Sequence, residues 1–288
     1  MDLKTLPVTL RPMTAAKPDL ESALHLSQAV GWAYRLEDWR IAQTLGQGVL
    51  AEENGAVIGS ALCWPYGDGF ATCGSIIVSP AMQGRGLGRV LLTRLLELTG
   101  RRAVMLNSTT EGMRLYQSFG FEAQGTVHQH LAPASLNVAP DAADPQVRAA
   151  RAEDMQAILQ MDRRAFGADR QRMIAEFFQT GSVMVIAGDA GDAGPRAYAI
   201  CRPFGLGQVI GPVVAGGAAD AKALIRYFLR SRAGQVRRID IGGDSGLGVW
   251  LTELGLPEVD QVTTMMRGKR PAIPGPERLF ALASQSFG

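Results

Sequence analysis

Cysteine is scarce in this 288-residue chain: there are three, Cys63, Cys73 and Cys201, widely spaced and odd in number. No CxxC pair exists, which argues against a zinc knuckle or a dithiol redox motif and fits buried free thiols in a reducing compartment. Net charge is nearly absent, since 29 Lys plus Arg against 27 Asp plus Glu leave +2. Such a balance gives no global electrostatic reason to expect nucleic acid or an anionic membrane as partner. No apolar run approaches the ~18 residues of a membrane span. Met1-Asp2-Leu3-Lys4 lacks the basic-then-apolar order of a signal peptide, so a cytoplasmic protein is expected. Charged residues are only 19% against 47% apolar, too few and too many respectively for a disordered chain. The 34 glycines have no three-residue period, which excludes collagen.

The length suggests two domains at about 150 residues each. A small-residue stretch with three prolines, Ala132 to Pro145, falls near the middle and disfavours helix and ladder alike. The expected organisation is therefore a domain at 1–132, a linker at 133–145 and a domain at 146–288. In the first half, Val49–Leu62 reads as a hairpin about Asn54-Gly55. Helical spacing covers Ser22–Ala29, Leu87–Leu98 and Thr110–Phe119. Strands are expected at Val8–Arg11, Gly74–Val78, Ala103–Leu106 and Gln124–Leu131. This mixed order predicts an α/β class, an α+β sandwich on a mixed sheet. The second half repeats the plan: Met155–Phe166 stands for the first helix, Val209–Val214 for the strand at 74–78, Ala219–Leu229 for the apolar helix, and Arg238–Ile241 for the strand at 103–106.

The sharpest segment runs from Ile76-Ile77-Val78 through a turn bearing Gly84, Gly86 and Gly88 directly into a helix. Glycines allow close backbone approach, and a helix start offers unpaired N–H groups and a positive dipole end. Together these suit a phosphate or pyrophosphate. A P-loop needs a Gly-Lys-Ser/Thr ending, and no lysine is present. A dinucleotide fingerprint needs a third glycine where Arg89 stands.

Gln83-Gly84-Arg85-Gly86-Leu87-Gly88 resembles the Q/R-x-x-G-x-G/A signature of the GNAT N-acetyltransferase superfamily, and Leu115-Tyr116-Gln117-Ser118-Phe119-Gly120-Phe121 is similar to its second hallmark. The resemblance covers residues 8–131 and reaches the second half only as an echo of the fold. It implies two tandem GNAT-like domains and acetyl-CoA as co-substrate. By resemblance the pyrophosphate would lie on Gln83, Gly84, Arg85, Gly86, Leu87, Gly88 and Arg89. Pantetheine would run along Ile76, Ile77 and Val78 and touch Asn107, which otherwise would cap the next helix. Tyr116 would protonate the departing thiolate. Trp32, Tyr34 and Trp64 are expected near the acceptor, with Glu37 or Asp38 available to a cationic amine.

No general base is evident, because Cys73–Val78 carries no carboxylate; Ser75 and Asp68 are weak candidates. The second half lacks the signature: Ala215-Gly216-Gly217-Ala218-Ala219-Asp220 has no arginine, Asp220 would cap its helix and repel phosphate, and Leu251 stands where Tyr116 would. One acetyl-CoA per chain is therefore expected. The second unit would either shape the acceptor cleft or serve as a purely structural partner that completes the core or builds a homodimer. Asp240 and Asp244 could reach an interdomain pocket. His128 and His130 share a strand face without a third ligand, so no metal is expected. Arg226, Arg230, Arg232, Arg237 and Arg238 read as a solvated face rather than a nucleic-acid surface. The expected function is acetyl transfer from acetyl-CoA to a primary amine, of a small molecule or a peptide, by direct attack. The alternatives are a non-catalytic acyl-CoA sensor and an interaction protein.

Overall fold

The computed structural model describes residues 8–142, 144–188 and 194–288; the opening Met1–Lys4 lies outside them. The first half runs β1 (Thr9–Met13), α1 (Lys17–Ala29), α2 (Leu36–Leu45), β2 (Gln47–Glu53), β3 (Ala56–Tyr66), β4 (Phe70–Val78), α3 (Leu87–Thr99), β5 (Ala103–Ser108), α4 (Met113–Gln117) and β6 (Glu122–Ala132). The second runs β7 (Val147–Ala149), α5 (Met155–Phe166), α6 (Gln171–Thr180), β8 (Ser182–Ala187), β9 (Pro195–Phe204), β10 (Gly207–Ala215), α7 (Ala218–Ser231), β11 (Arg237–Gly242), α8 (Gly248–Glu253), β12 (Glu258–Arg267) and β13 (Arg278–Ala281).

Local chemistry explains the elements nearest the site. Asn54 and Gly55 both take positive φ, 52° and 79°, as a two-residue hairpin turn requires. Along α3, Leu87, Leu91, Leu92, Leu95 and Thr99 form one buried stripe that packs on β3. Gly59 permits the approach, since a Cβ there would lie 2.9 Å from Leu91 Cδ1. The α2 helix was not anticipated. Asp38 caps it by accepting the Arg35 backbone N–H at 2.9 Å. The Asp220 expectation is corrected: it lies in the first turn of α7 without capping it and pairs with Arg196.

All strands belong to one sheet, ordered β1-β2-β3-β4-β5-β12-β6-β11-β10-β9-β8-β7, with β13 beside β10. The two halves exchange their last strands. Strand β12 from the second half pairs antiparallel with β5, and β6 from the first half pairs antiparallel with β11. The expected boundary near residue 132 thus divides the sequence and not the sheet. Between β6 and β7 the chain packs on the second half: Arg226 pairs with Asp144 and Asp141, and Arg237 donates to the Pro133 and Leu136 carbonyls. These contacts also correct the arginine cluster, whose members Arg226, Arg232 and Arg237 serve the fold; Arg232 donates to Ser182.

Candidate active site

The site begins with an irregularity in β4. Ile77 lies opposite Ser60 and Gly74 opposite Leu62, so Ser75 and Ile76 together face a single residue of β3. Ser75 has φ 50°. A bulge of this kind bends its strand. Parallel pairing of β4 with β5 accordingly covers only Phe70–Cys73 against Ala103–Leu106. Beyond Cys73 the strands part and leave a V-shaped cleft whose backbone groups lack a ladder partner.

A cavity of about 310 Å³ occupies this region. Gly74, Ser75 and Ile76 line it from β4, Asn107 from β5 and Tyr116 from α4. The glycine turn follows β4 and precedes α3. Gly84 and Gly86 are left-handed, with φ 75° and 85°, and an added Cβ on either would meet nothing within 4 Å. Gly86 is the N-cap of α3 and provides no side-chain cap, so the Leu87 and Gly88 N–H groups are available to an anion, while the Arg89 N–H donates to the Gly86 carbonyl at 3.0 Å. Gly88 serves differently, because a Cβ there would lie 3.2 Å from Leu115 Cδ2; it lets α4 approach α3. Leu87 and Ile77 are core side chains, leaving only their backbones to a ligand. Gln83 donates to the Val78 carbonyl at 3.2 Å. Arg85 lies 3.6 Å from Glu53, and Arg89 donates to Ser118 Oγ at 3.0 Å over the Phe119 ring.

Tyr116 is buried edge-to-face against Phe121, 6.0 Å between centroids. Its hydroxyl makes no hydrogen bond among the described residues. Burial, with the Cys73 thiol nearby, holds the phenol pKa above its ordinary value. Burial also pushes the Cys63 and Cys201 thiols up to about 11 and Cys73 well above the usual range. At neutral pH these groups are thiols, and none is activated as a nucleophile.

Several expected residues fall elsewhere. Trp64 does not border the cavity: it is buried, donates to the Ala42 carbonyl at 2.9 Å and stacks edge-on against Phe287. Trp32 and Tyr34 do line it, whereas Trp39 is core. Asp38 is held by Arg35 and Glu37 by Arg40, so neither is free for an amine. Asp68 is exposed at the sheet's far turn, 3.6 Å from Arg102. Asp244 is exposed and outside the cavity lining. His128 pairs with Glu258 and His130 Nδ1 donates to the Leu256 carbonyl at 2.8 Å; among the described residues no metal-ligand cluster exists. Asn107 neither caps a helix nor leaves its amide open: Nδ2 donates to the Gln285 carbonyl at 2.7 Å and Oδ1 accepts from Thr264 at 2.7 Å.

That last contact exposes what the sequence reading missed. Strand β10 repeats the irregularity of β4, with a register shift between Ile210 and Val213 and parallel pairing to β11 at only Gln208 and Val209. Its cleft, however, is filled by the chain itself. Strand β13 pairs with β10, and the Leu282 N–H donates to the Asp240 carbonyl on β11 at 2.8 Å. A Cβ on Gly211 would lie 1.8 Å from the Leu282 carbonyl oxygen. Gly211→Ala should therefore unseat β13 and cost several kcal/mol, about the scale of a severe core lesion; thermal unfolding is the check, and an unchanged Tm would refute the tight fit.

From β13 the chain crosses beneath the first cleft. Ser284, Gln285 and Ser286 line the cavity, and a Cβ on Gly74 would lie 2.7 Å from Ser286 Oγ. Two buried polar atoms there have no partner among the described residues, Ser75 Oγ and Gln285 Nε2; buried groups of this kind are costly unless a ligand or water satisfies them. Gln129, Phe204 to Gln208, Arg238 and Asp260 complete the lining from the exchanged strands and the second half.

Family models described as acetyltransferase (GNAT) domains match twice, at residues 45–123 and 158–281. The uncharacterised N-acetyltransferase YitH of Bacillus subtilis is 26% identical over 217 residues, 75% of this chain and 76% of that protein. The L-methionine sulfoximine/L-methionine sulfone acetyltransferase of Salmonella typhimurium is 39% identical over 106 residues, 33% of this chain and 62% of that protein. A crystal structure from Pyrococcus horikoshii, provisionally assigned as an acetyltransferase, superposes with TM-score 0.80 at 18% identity, covering 100% of this chain and 98% of that one. Among the described residues no helix is long and apolar enough to cross a membrane.

Proposed function

We propose, for a chain that belongs to the GNAT acetyltransferases through both of its halves, that one acetyl-CoA binds in the first unit and its acetyl group passes directly to a primary amine. The observation that carries this reading is the difference between the two clefts: the first holds an open cavity lined by Gly74–Ile76, Asn107 and Tyr116, and the second is filled by β13. The uncapped start of α3 suits the pyrophosphate, and the unpaired edge of β4 suits the amide arm of pantetheine. The amine lone pair attacks the thioester carbonyl carbon. The C–N bond forms, the C–S bond breaks, Tyr116 supplies a proton to the leaving sulfur, and the amine's proton leaves to water. Positioning and carbonyl polarisation by β4 amides and by Gln285 Nε2 supply most of the rate. The acyltransferase relative that acts on L-methionine sulfoximine and L-methionine sulfone supports a small-molecule acceptor.

Gly112 gives a test that keeps the phenol but shifts it. Its backbone is ordinary, but a Cβ would lie 2.8 Å from Tyr116 Cε2 and 3.1 Å from Ser108 Oγ. Gly112→Ala should displace the ring and lower kcat on the order of 10²-fold, the cost of about 1 Å of misplacement, with little change in acetyl-CoA affinity. Steady-state kinetics against an amine panel would check this; an unchanged kcat would remove Tyr116 from the reaction.

A further inference from the structure

We propose that the acceptor is a small zwitterion, an amine that also carries a carboxylate, with the carboxylate received by Arg238 and the amine drawn by Asp260. This rests on the acetyl-transfer reading above. Arg238 and Asp260 are the only charged side chains lining the cavity among the described residues, and both come from the second half.

Their placement follows from the exchanged strands. On β6, Gln129 lies between Asp240 of β11 and Asp260 of β12. Register partners share a face, and Arg238, two residues before Asp240, shares it too. Arg238 binds the buried Asp240 carboxylate through Nε at 3.0 Å and Nη2 at 2.9 Å. That grip fixes the guanidinium fork, and Nη1 makes no hydrogen bond among the described residues.

The wall behind Arg238 holds a second, buried guanidinium, that of Arg202. The Phe204 ring stacks with Arg238 at 5.4 Å and with Arg202 at 5.1 Å. Arg202 is 1% exposed, donates to the Ala283 carbonyl, and leaves Nε without a partner. Burial pulls its guanidinium down to about 10. Around Phe204 the guanidiniums are Arg35, Arg202 and Arg238; the carboxylates facing them are Asp38, paired with Arg35, Asp240, paired with Arg238, and the exposed Asp260. Of the three, Arg202 alone joins no salt bridge among the described residues, a costly state for a buried cation that a bound anion relieves. Asp260 stands exposed at the other edge and joins no salt bridge among the described residues. A cation wall and an exposed carboxylate beside it complement a molecule with one charge of each sign. Trp32, Tyr34 and Phe204 between them suit an apolar body.

The test is thiol release from acetyl-CoA with a ladder of carboxylate-bearing amines: the L-α-amino acids, β-alanine, 4-aminobutyrate and short dipeptides. Each is run beside its carboxamide, with polyamines as a third class, and acetyl-CoA binding is measured separately by calorimetry. At least one acid should be acetylated, and its carboxamide should lose about 10- to 100-fold in kcat/KM, the worth of a charge-assisted hydrogen bond. Arg238→Gln should bring acid and amide to parity, and Arg238→Lys should restore part of the preference. Asp260→Asn, an exposed change that spares the fold, should raise KM for both with kcat kept. Equal use of amides or polyamines would overturn the proposal, as would a ladder that stays unreacted while acetyl-CoA binds. Absent acetyl-CoA binding would instead overturn the transferase reading beneath it.

Discussion

Tyr116→Phe is expected to lower kcat by roughly 10²- to 10⁴-fold, the usual contribution of a positioned general acid, while acetyl-CoA still binds. The phenol holds its proton more tightly than usual because it is buried with the Cys73 thiol near it. At neutral pH it can therefore donate and cannot accept. Donation is what the reaction lacks, because charge builds on sulfur as the C–S bond breaks. The hydroxyl makes no hydrogen bond among the described residues, so its removal strands no partner and Tm should stay unchanged. The pH profile follows with its sign fixed. An alkylamine with a pKa near 10.4 must lose a proton before attack, so kcat/KM rises with pH. No falling limb should appear below pH ~10, since the raised phenol pKa keeps Tyr116 protonated there. A fall between pH 7 and 9 would mean that a more acidic group donates the proton.

Gly86→Glu should abolish acetyl-CoA binding. Gly86 sits at φ 85° as the N-cap of α3. A side chain there carries a left-handed backbone cost of about 1–2 kcal/mol, which a domain of this size tolerates. The space in front of its Cβ is empty of protein, so the glutamate projects where an anion would sit. Its carboxylate also occupies the positive end of the helix dipole. Bulk and charge act together against a pyrophosphate. Calorimetry should show no acetyl-CoA heat, and far-UV circular dichroism should be unchanged. Full-strength binding by the variant would place the cofactor elsewhere.

Local features of the sequence translated well into structure. The Asn54-Gly55 turn, the leucine stripe of α3 and the glycine turn between β4 and α3 each depend on neighbours a few residues apart, so spacing reveals them. The helix at 36–45 was obscured because the stretch running into it, with Trp32 and Tyr34, read as a ligand-lining segment, whereas the helix's one aromatic, Trp39, is core. Trp64 was misjudged for the same reason: an indole beside a cleft strand points inward as readily as outward. The acceptor side was invisible because it is assembled from afar. Asn107 meets Gln285 across 178 residues, and Arg238 and Asp260 reach the cavity only because β6 and β12 change places. The filling of the second cleft by β13 left no mark in the second half's own motif region beyond the missing arginine and glycine signature.

The central claim is one working cleft and one filled cleft in each chain. Titration of acetyl-CoA into the wild-type protein by calorimetry tests it directly. One molecule should bind per chain, with that binding lost in Gly86→Glu. Two molecules per chain, or a single site that survives Gly86→Glu, would contradict it.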